Sequence, residues 1–182
     1  LSSVDVELRF YANETGAETI VTRNTSNGKL NLTGLPIDQP LIAVANAENF
    51  TDRRIFIESV YEQSELYLLP ESVTKTTTIF RLEDYTGNFP TENTALKVQR
   101  SLNDSYQTVL GDFFGATGEF SARMEYEVRH RMILINAKTG KTRLLGTFTP
   151  VTDSTQTLAI TPPDEDIDAA GVAAKISPQT GR

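Results

Sequence analysis

The chain has 182 residues, 38% of them apolar and 23% charged, so it can build a packed core. Its 24 acidic and 17 basic residues give a formal charge of −7, which disfavours a nucleic-acid partner. It has no Cys and a single His, which excludes disulfides, thiolate catalysis and Cys-ligated metals and leaves little for acid–base chemistry at neutral pH.

Strand chemistry runs through the first 161 residues, helped by 24 Thr in the chain. In chain order, the apolar or alternating segments are Val4–Phe10, Lys29–Leu32, Leu41–Ala45 and Ile55–Ile57. They continue with Glu65–Leu68, Ile79–Leu82, Leu96–Val98, Met132–Ile135, Leu144–Leu145 and Gln156–Ile160. Turn signals stand between them: Thr15-Gly16, Asn27-Gly28, Thr86-Gly87, Thr117-Gly118 and Thr139-Gly140. Strands at roughly 8–12-residue spacing predict sandwiches rather than βαβ units. No 3.6-residue period persists, so helix is expected to be nearly absent, with a turn near Glu125-Tyr126. No apolar run reaches the ~20 residues of a membrane span. Leu1-Ser2-Ser3 lacks the basic and apolar stretches of a signal peptide.

An internal repeat appears at an offset of 90 residues. Gly28-Lys29-Leu30-Asn31-Leu32 matches Gly118-Glu119-Phe120-Ser121-Ala122, and Leu41–Ala47 matches Arg131–Ala137, both ending in Asn-Ala. A weaker match sets Leu8-Arg9-Phe10 on Phe80-Arg81-Leu82. On that alignment the second copy carries about 19 extra residues around Thr91 to Gln107, which read as an inserted hairpin.

The first copy resembles carboxypeptidase-regulatory-like, transthyretin-type domains. The likeness rests on Thr15-Gly16, the strand through Val21-Thr22, Asn27-Gly28-Lys29-Leu30, Thr33-Gly34-Leu35-Pro36, the strand Leu41 to Asn46, and Leu66–Pro70. The family pattern continues with Gly-Tyr after the apolar strand; Asn46–Phe50 stands there instead, with Phe50 in the aromatic place. The second copy is similar to domains of haloarchaeal membrane-anchored surface proteins, on Phe80–Pro90 and Gly111–Phe120. The resemblance implies Greek-key sandwiches in a non-catalytic module of surface or secreted proteins.

The expected fold is therefore all-β: two tandem Greek-key (transthyretin/Ig-like) β-sandwiches, a short linker and an extended C-terminal arm. The expected units are residues 1–72, residues 77–161 and a linker or tail at 162–182. Their apolar residues are expected to close two separate cores. Residues 1–72 hold 11 acidic and 5 basic residues, net −6, while residues 73–161 carry net +1. That asymmetry would suit head-to-tail association.

Candidate sites are few. Five glycosylation sequons begin at Asn13, Asn24, Asn31, Asn49 and Asn103, although Asn also serves turns. With the absence of Cys they favour an extracellular or cell-surface protein of an archaeon or other prokaryote, or a virion surface. Arg123, Arg129, Arg131, Lys141 and Arg143 form a basic concentration, partly on a hairpin around Thr139-Gly140, as an interaction candidate or a solubilising strand face. Phe113 and Phe114 are contact candidates, or a pair with one ring in the core and one at its rim. Asp164–Asp168 lacks the Gly and distal Glu of a calcium loop and reads as solvated linker. Asp84 with Asp112 is a weak carboxylate pair, and His130 has no catalytic set around it. No catalytic, cofactor or metal residue is assigned.

The function expected is a non-catalytic extracellular module making protein–protein contacts, including self-assembly, in a filament, surface layer or spike. The alternative is a carbohydrate-binding or adhesion accessory module, which requires exposed aromatic rings in one plane. Glycans are possible partners, nucleic acid is not, and a membrane is reached only through an anchor outside this chain.

Overall fold

The computed structural model describes residues 4–11, 18–26, 28–35, 39–59, 65–162 and 178–179. Six strands come from the first 70 residues: β1 (Asp5–Tyr11), β2 (Glu18–Asn24), β3 (Leu41–Asn46), β4 (Phe50–Thr51), β5 (Arg53–Ile57) and β6 (Leu69–Pro70). Eight follow: β7 (Lys75–Leu82), β8 (Thr94–Leu102), β9 (Ser105–Phe113), β10 (Glu119–Glu125), β11 (His130–Asn136), β12 (Thr142–Phe148), β13 (Thr155–Ile160) and β14 (Pro178–Gln179). Among the described residues the helical content is one 3₁₀ turn, Thr91–Asn93, and the chain turns at Tyr126 as expected. The fold is all-β.

Three four-stranded sheets carry the structure, in the orders β2-β1-β3-β5, β12-β11-β8-β9 and β10-β7-β13-β14, with β4 and β6 as a separate pair. All pairings are antiparallel except β7 with β13. The first two sheets share one plan. Two hairpin strands pair, then a third strand joins the first, and a fourth joins the third. Adding 90 to β1 gives residues 95–101, inside β8, and adding 90 to β5 gives 143–147, inside β12. The segment read as an inserted hairpin, β8 and β9, is thus half of the second sheet, standing where β1 and β2 stand in the first. The register slips by one at the third strand. Leu8 faces Ala43, while Val98 faces Met132. Ala43 and Met132, 89 apart, each belong to their own half's core.

Side-chain period explains the layers. In β1, Val6, Leu8 and Phe10 point one way and are buried with Leu41, Ala43 and Ile55. Leu30, Leu32, Leu35 and Leu66 cover that face from irregular segments. Lys29–Leu32, expected as a strand, makes only a bridge from Lys29 to Ser26, and Gly34 turns away at φ +82°. Glu65–Leu68, also expected as a strand, is irregular. In the second half, Phe80, Leu96, Val98, Phe114, Met132, Leu134 and Leu158 close a sheet-on-sheet core between β10-β7-β13 and β12-β11-β8-β9.

The two expected cores are distinct clusters, and a third apolar cluster, not expected, joins the halves. It holds Ile42 and Phe56 from the first sheet and Ala95 and Ile135 from the second, all buried, with Tyr11, Val44, Phe113 and Ile133 against them. These side chains lie on the faces turned away from each half's own core. β3, β5 and β11 are thereby buried on both faces, which is why Leu41–Ala45, Ile55–Ile57 and Met132–Ile135 are continuous apolar runs.

The joint is closest where β5 lies on β9. A Cβ at Gly111 would stand 2.6 Å from the Leu96 carbonyl oxygen and 2.7 Å from the Phe56 Cβ. Only hydrogen fits there. Gly111→Ala is expected to lower stability by about 1–3 kcal/mol through overpacking, and Gly111→Val by more, read as the urea midpoint. Phe56→Ala in the same chain should not rescue either variant, because the Phe56 Cβ and the Leu96 carbonyl remain. An unchanged midpoint for Gly111→Ala would show that the strands do not approach this closely.

Candidate functional site

The polar chemistry of the described residues gathers at the margin of the joint. Arg53 opens β5 and is buried. Its Nη1 donates to the Val109 carbonyl at 2.9 Å and the Tyr67 carbonyl at 3.2 Å, tying the first half to β9. Burial pulls its guanidinium down to about 10, with Glu125 opposing and Arg100 assisting, so it remains charged at neutral pH. Arg54 points to the other side of the strand. Its Nη2 donates to Asp112 Oδ1 at 3.0 Å and its Nε lies against Oδ2. Lys97 meets Glu58 at 2.8 Å across the same seam.

Asp112 is the informative acid. Burial pushes its carboxyl above the ordinary range, and the Arg54 charge and the Phe113 N–H only partly offset this. The pair is formed, yet desolvation outweighs the attraction, as happens when one partner is nearly buried and the other is partly wet. Asp84, its supposed partner in a carboxylate pair, is used elsewhere. Burial works against its charge, but the Thr86 hydroxyl and the backbone N–H groups of Phe89 and Thr86 donate to it and hold its carboxyl low. Asp84 shapes the β7–β8 loop and Asp112 locks the joint.

A groove of about 630 Å³ runs beside the joint, lined by Val44, Arg54, Leu110, Asp112, Phe120 and Arg123 among others. Its other acids include Glu71, whose carboxyl is held low by Lys75 and Thr51. Glu71 and Asp112 each have their own partners, Glu71 with Lys75 and Thr51 and Asp112 with Arg54. A second groove, about 310 Å³, is lined by Phe56, Glu58, Lys97, Gln99, Tyr106 and Gln107.

The residues singled out in the sequence do not converge. Phe114 is in the second core. Phe113 belongs to the joint rather than to a solvent-facing rim, with ring centroids 4.3 Å from Tyr11 and 5.5 Å from Phe56. β11 and β12 pair around Thr139-Gly140 as read, but their cations do not line one surface. Arg143 is buried, and Arg131 donates to Gln99 Oε1 at 2.9 Å while covering the Tyr106 ring at 3.7 Å. Arg123 and Arg129 are exposed. Lys141 is half-buried. Ion pairs of this region include Arg100 with Glu125 and, at 4.0 Å, Arg123 with Glu71. Tyr85 and Tyr106 are the exposed aromatics among the described residues, one in a loop and one in β9, and Arg131 occupies a face of Tyr106. A flat aromatic platform is not built from these two.

Asn24, Asn31, Asn49 and Asn103 are exposed. Asn103 and Asp104 form the two-residue β8–β9 turn, both at positive φ (51° and 62°), as a type I′ turn demands. Asn49 is also left-handed at φ 67°. Asn13 and the Asp164–Asp168 run lie outside the described residues. Arg53 and Arg54 were missed in the sequence, where they belong to no motif, and Gly111 was read only as the start of a family likeness.

No protein-family model and no curated protein matches the sequence, so the carboxypeptidase-regulatory-like resemblance finds no support there. Among solved structures, the chain is similar to the minor pilin GBS52 of Streptococcus agalactiae, at 12% identity and TM-score 0.31, over 93% of this chain and 87% of that one. It is also similar to the shaft pilin SpaA of Lactobacillus rhamnosus GG (10%, TM-score 0.32, 90% and 86%). A third is a leucine-rich repeat protein of Bacteroides thetaiotaomicron (11%, TM-score 0.29, 89% and 24%). Overlaps of this size amount to a loose β-rich likeness and no more.

The buried acid predicts an asymmetry. Arg54→Ala leaves the Asp112 carboxylate buried without its cation and should cost about 3 kcal/mol at pH 7. Asp112→Asn keeps an acceptor for the Phe113 N–H, removes the desolvated charge and should cost under about 1 kcal/mol. The Arg54→Ala loss should shrink as pH falls, because a carboxyl with a raised folded pKa favours the fold when protonated. Equal losses in denaturant titrations would contradict this reading of the pair.

His130 gives the opposite slope. It is buried beside Arg53 and Arg100, and burial followed by those two charges lowers its pKa to about 4. The unfolded chain takes up a proton near pH 6.5 that the fold refuses. Stability is therefore full above about pH 6.5 and falls by on the order of 3 kcal/mol as pH drops towards 4. Urea midpoints over that window should fall less in His130→Gln than in the natural chain; parallel curves would remove His130 from the account.

Proposed function

We propose that the chain is a non-catalytic structural and interaction module of an extracellular or cell-surface assembly, working through sheet edges and loops held in fixed relation. The joint carries this reading. A module that only tethers its two halves needs a linker, whereas Phe56, Ile42, Ala95 and Ile135 bury both faces of facing sheets. Arg53, Arg54 and Asp112 then fasten its margin with bonds across the seam. Such fusion suits a protein that transmits position or load between neighbours. Exposed sequons at Asn24, Asn31, Asn49 and Asn103 agree with an exported chain. The same reading takes residues 1–72 and 77–161 as two repeats fused into one mechanical body.

Differential scanning calorimetry tests this. One transition, with equal calorimetric and van't Hoff enthalpies, is expected. Two resolved transitions would mean independent halves on a hinge and would overturn the fixed-geometry reading.

A further inference from the structure

The three large sheets have six edges. β5 and β9 lie on each other in the joint. β14 is two residues long. β12 is interrupted, its register shifting opposite Met132/Ile133 beside Gly146 at φ 104°. The groove beside β10 has Val44, Thr51 and Arg54 of the first half on its other wall. Short length, bulging and cover are the usual ways to keep an edge from pairing with another chain.

Among the described residues β2 has none of these, and it pairs with β1 alone, through seven consecutive residues without a register shift. Its sequence, Glu18-Thr19-Ile20-Val21-Thr22-Arg23-Asn24, has no Pro, Gly or Lys and a run of four β-branched residues. Six of its seven side chains are exposed, and Ile20 is 54% exposed. Val21, half-buried, sits beside Leu8 and packs on the first core.

We propose that β2 is a self-association edge, and that its occupant is β2 of a second copy, antiparallel, with a twofold axis through Val21. A twofold perpendicular to the sheet leaves every residue on its own face, so only residues of equal parity can pair. Of these registers, the one centred on Val21 uses the whole strand. It sets Val21 on Val21, Ile20 on Thr22, Thr19 on Arg23 and Glu18 on Asn24. No like charges face each other, the exposed Ile20 is covered, and the first core continues into its copy through Val21. The continuous eight-stranded sheet that results joins the two molecules by backbone hydrogen bonds. Antiparallel addition to β12 in the register that uses all seven residues of both strands instead sets Arg23 against Arg143. In full-length pairing the edge thus favours its own kind over β12. The first 72 residues carry net −6, so the two copies repel at long range and the dimer must tighten as salt rises. This deepens the interaction-module reading and rests on it.

The chain has no Cys, which makes the register directly readable. Opposed Cα atoms in an antiparallel pair are about 4.5–5.5 Å apart, within disulfide reach. Val21→Cys should give a disulfide-linked dimer on mild oxidation, and Leu144→Cys on β12 should not. Sedimentation equilibrium of the natural chain should show monomer and dimer, with dissociation weakening as NaCl rises. Ile20→Lys combined with Thr22→Lys should weaken association by about tenfold or more while leaving the unfolding midpoint in place. A strict monomer to millimolar concentration in every salt overturns the proposal. So does association that persists in the double-Lys variant, association that weakens with salt, or failure of Val21→Cys to cross-link while the protein associates. In those cases a single calorimetric transition leaves the module reading standing, whereas two transitions remove that reading itself.

Discussion

The structure depends on a place where a side chain is missing. At Gly111 two strands from different sheets come so close that a methyl group would strike the Leu96 carbonyl and the Phe56 Cβ. Hydrogen there lets β5 settle on β9. Phe56 then meets Phe113 edge to face, with Tyr11 on the other side of Phe113. Ile42, Ala95 and Ile135 close the cluster. Without that approach the first sheet would have one covered face and one wet apolar face. The joint therefore completes the burial of the first half rather than docking two finished domains.

The same geometry decides the polar chemistry. Arg53 is too deep for a carboxylate at hydrogen-bond distance and bonds to carbonyls of Val109 and Tyr67 instead. Arg54, one residue on, faces the seam and takes Asp112. The alternation of the strand thus assigns two neighbouring arginines to different tasks. His130 stays neutral because burial and two nearby guanidiniums both oppose its proton. Perturbed groups often mark catalytic sites. Here the shifts of Arg53, Asp112 and His130 follow from burial and neighbouring charges, and that of Asp84 from the loop it folds.

Much of the fold was legible in the residues. The alternation in Asp5–Tyr11 predicts a half-buried strand, and β1 is one. The continuous runs Leu41–Ala45 and Met132–Ile135 also carried the joint, since a strand apolar on both faces needs cover on both. Two segments failed for tertiary reasons. Leu30 and Leu32 alternate as a strand would, but among the described residues they join no sheet and pack as an irregular cover over the first core. Tyr67 lies against the second core and lends its carbonyl to Arg53 from an unpaired segment. The weak match of Leu8-Arg9-Phe10 to Phe80-Arg81-Leu82 hid the repeat counterpart of β1, which is β8. Side-chain roles were least legible. Phe113, Arg131 and Arg143 depend on which surface their strand faces in three dimensions, and the likeness that begins at Gly111 says nothing of its packing against β5.

The central claim is that the halves share one cooperative structure through the joint. Native-state hydrogen exchange measures this residue by residue. The amides of Ala43, Phe56, Val98 and Leu134, which sample the first core, the joint and the second core, should exchange only by global unfolding, with one common free energy and denaturant slope. A joint amide that opens at markedly lower free energy than either core, or two cores with separate slopes, would contradict it.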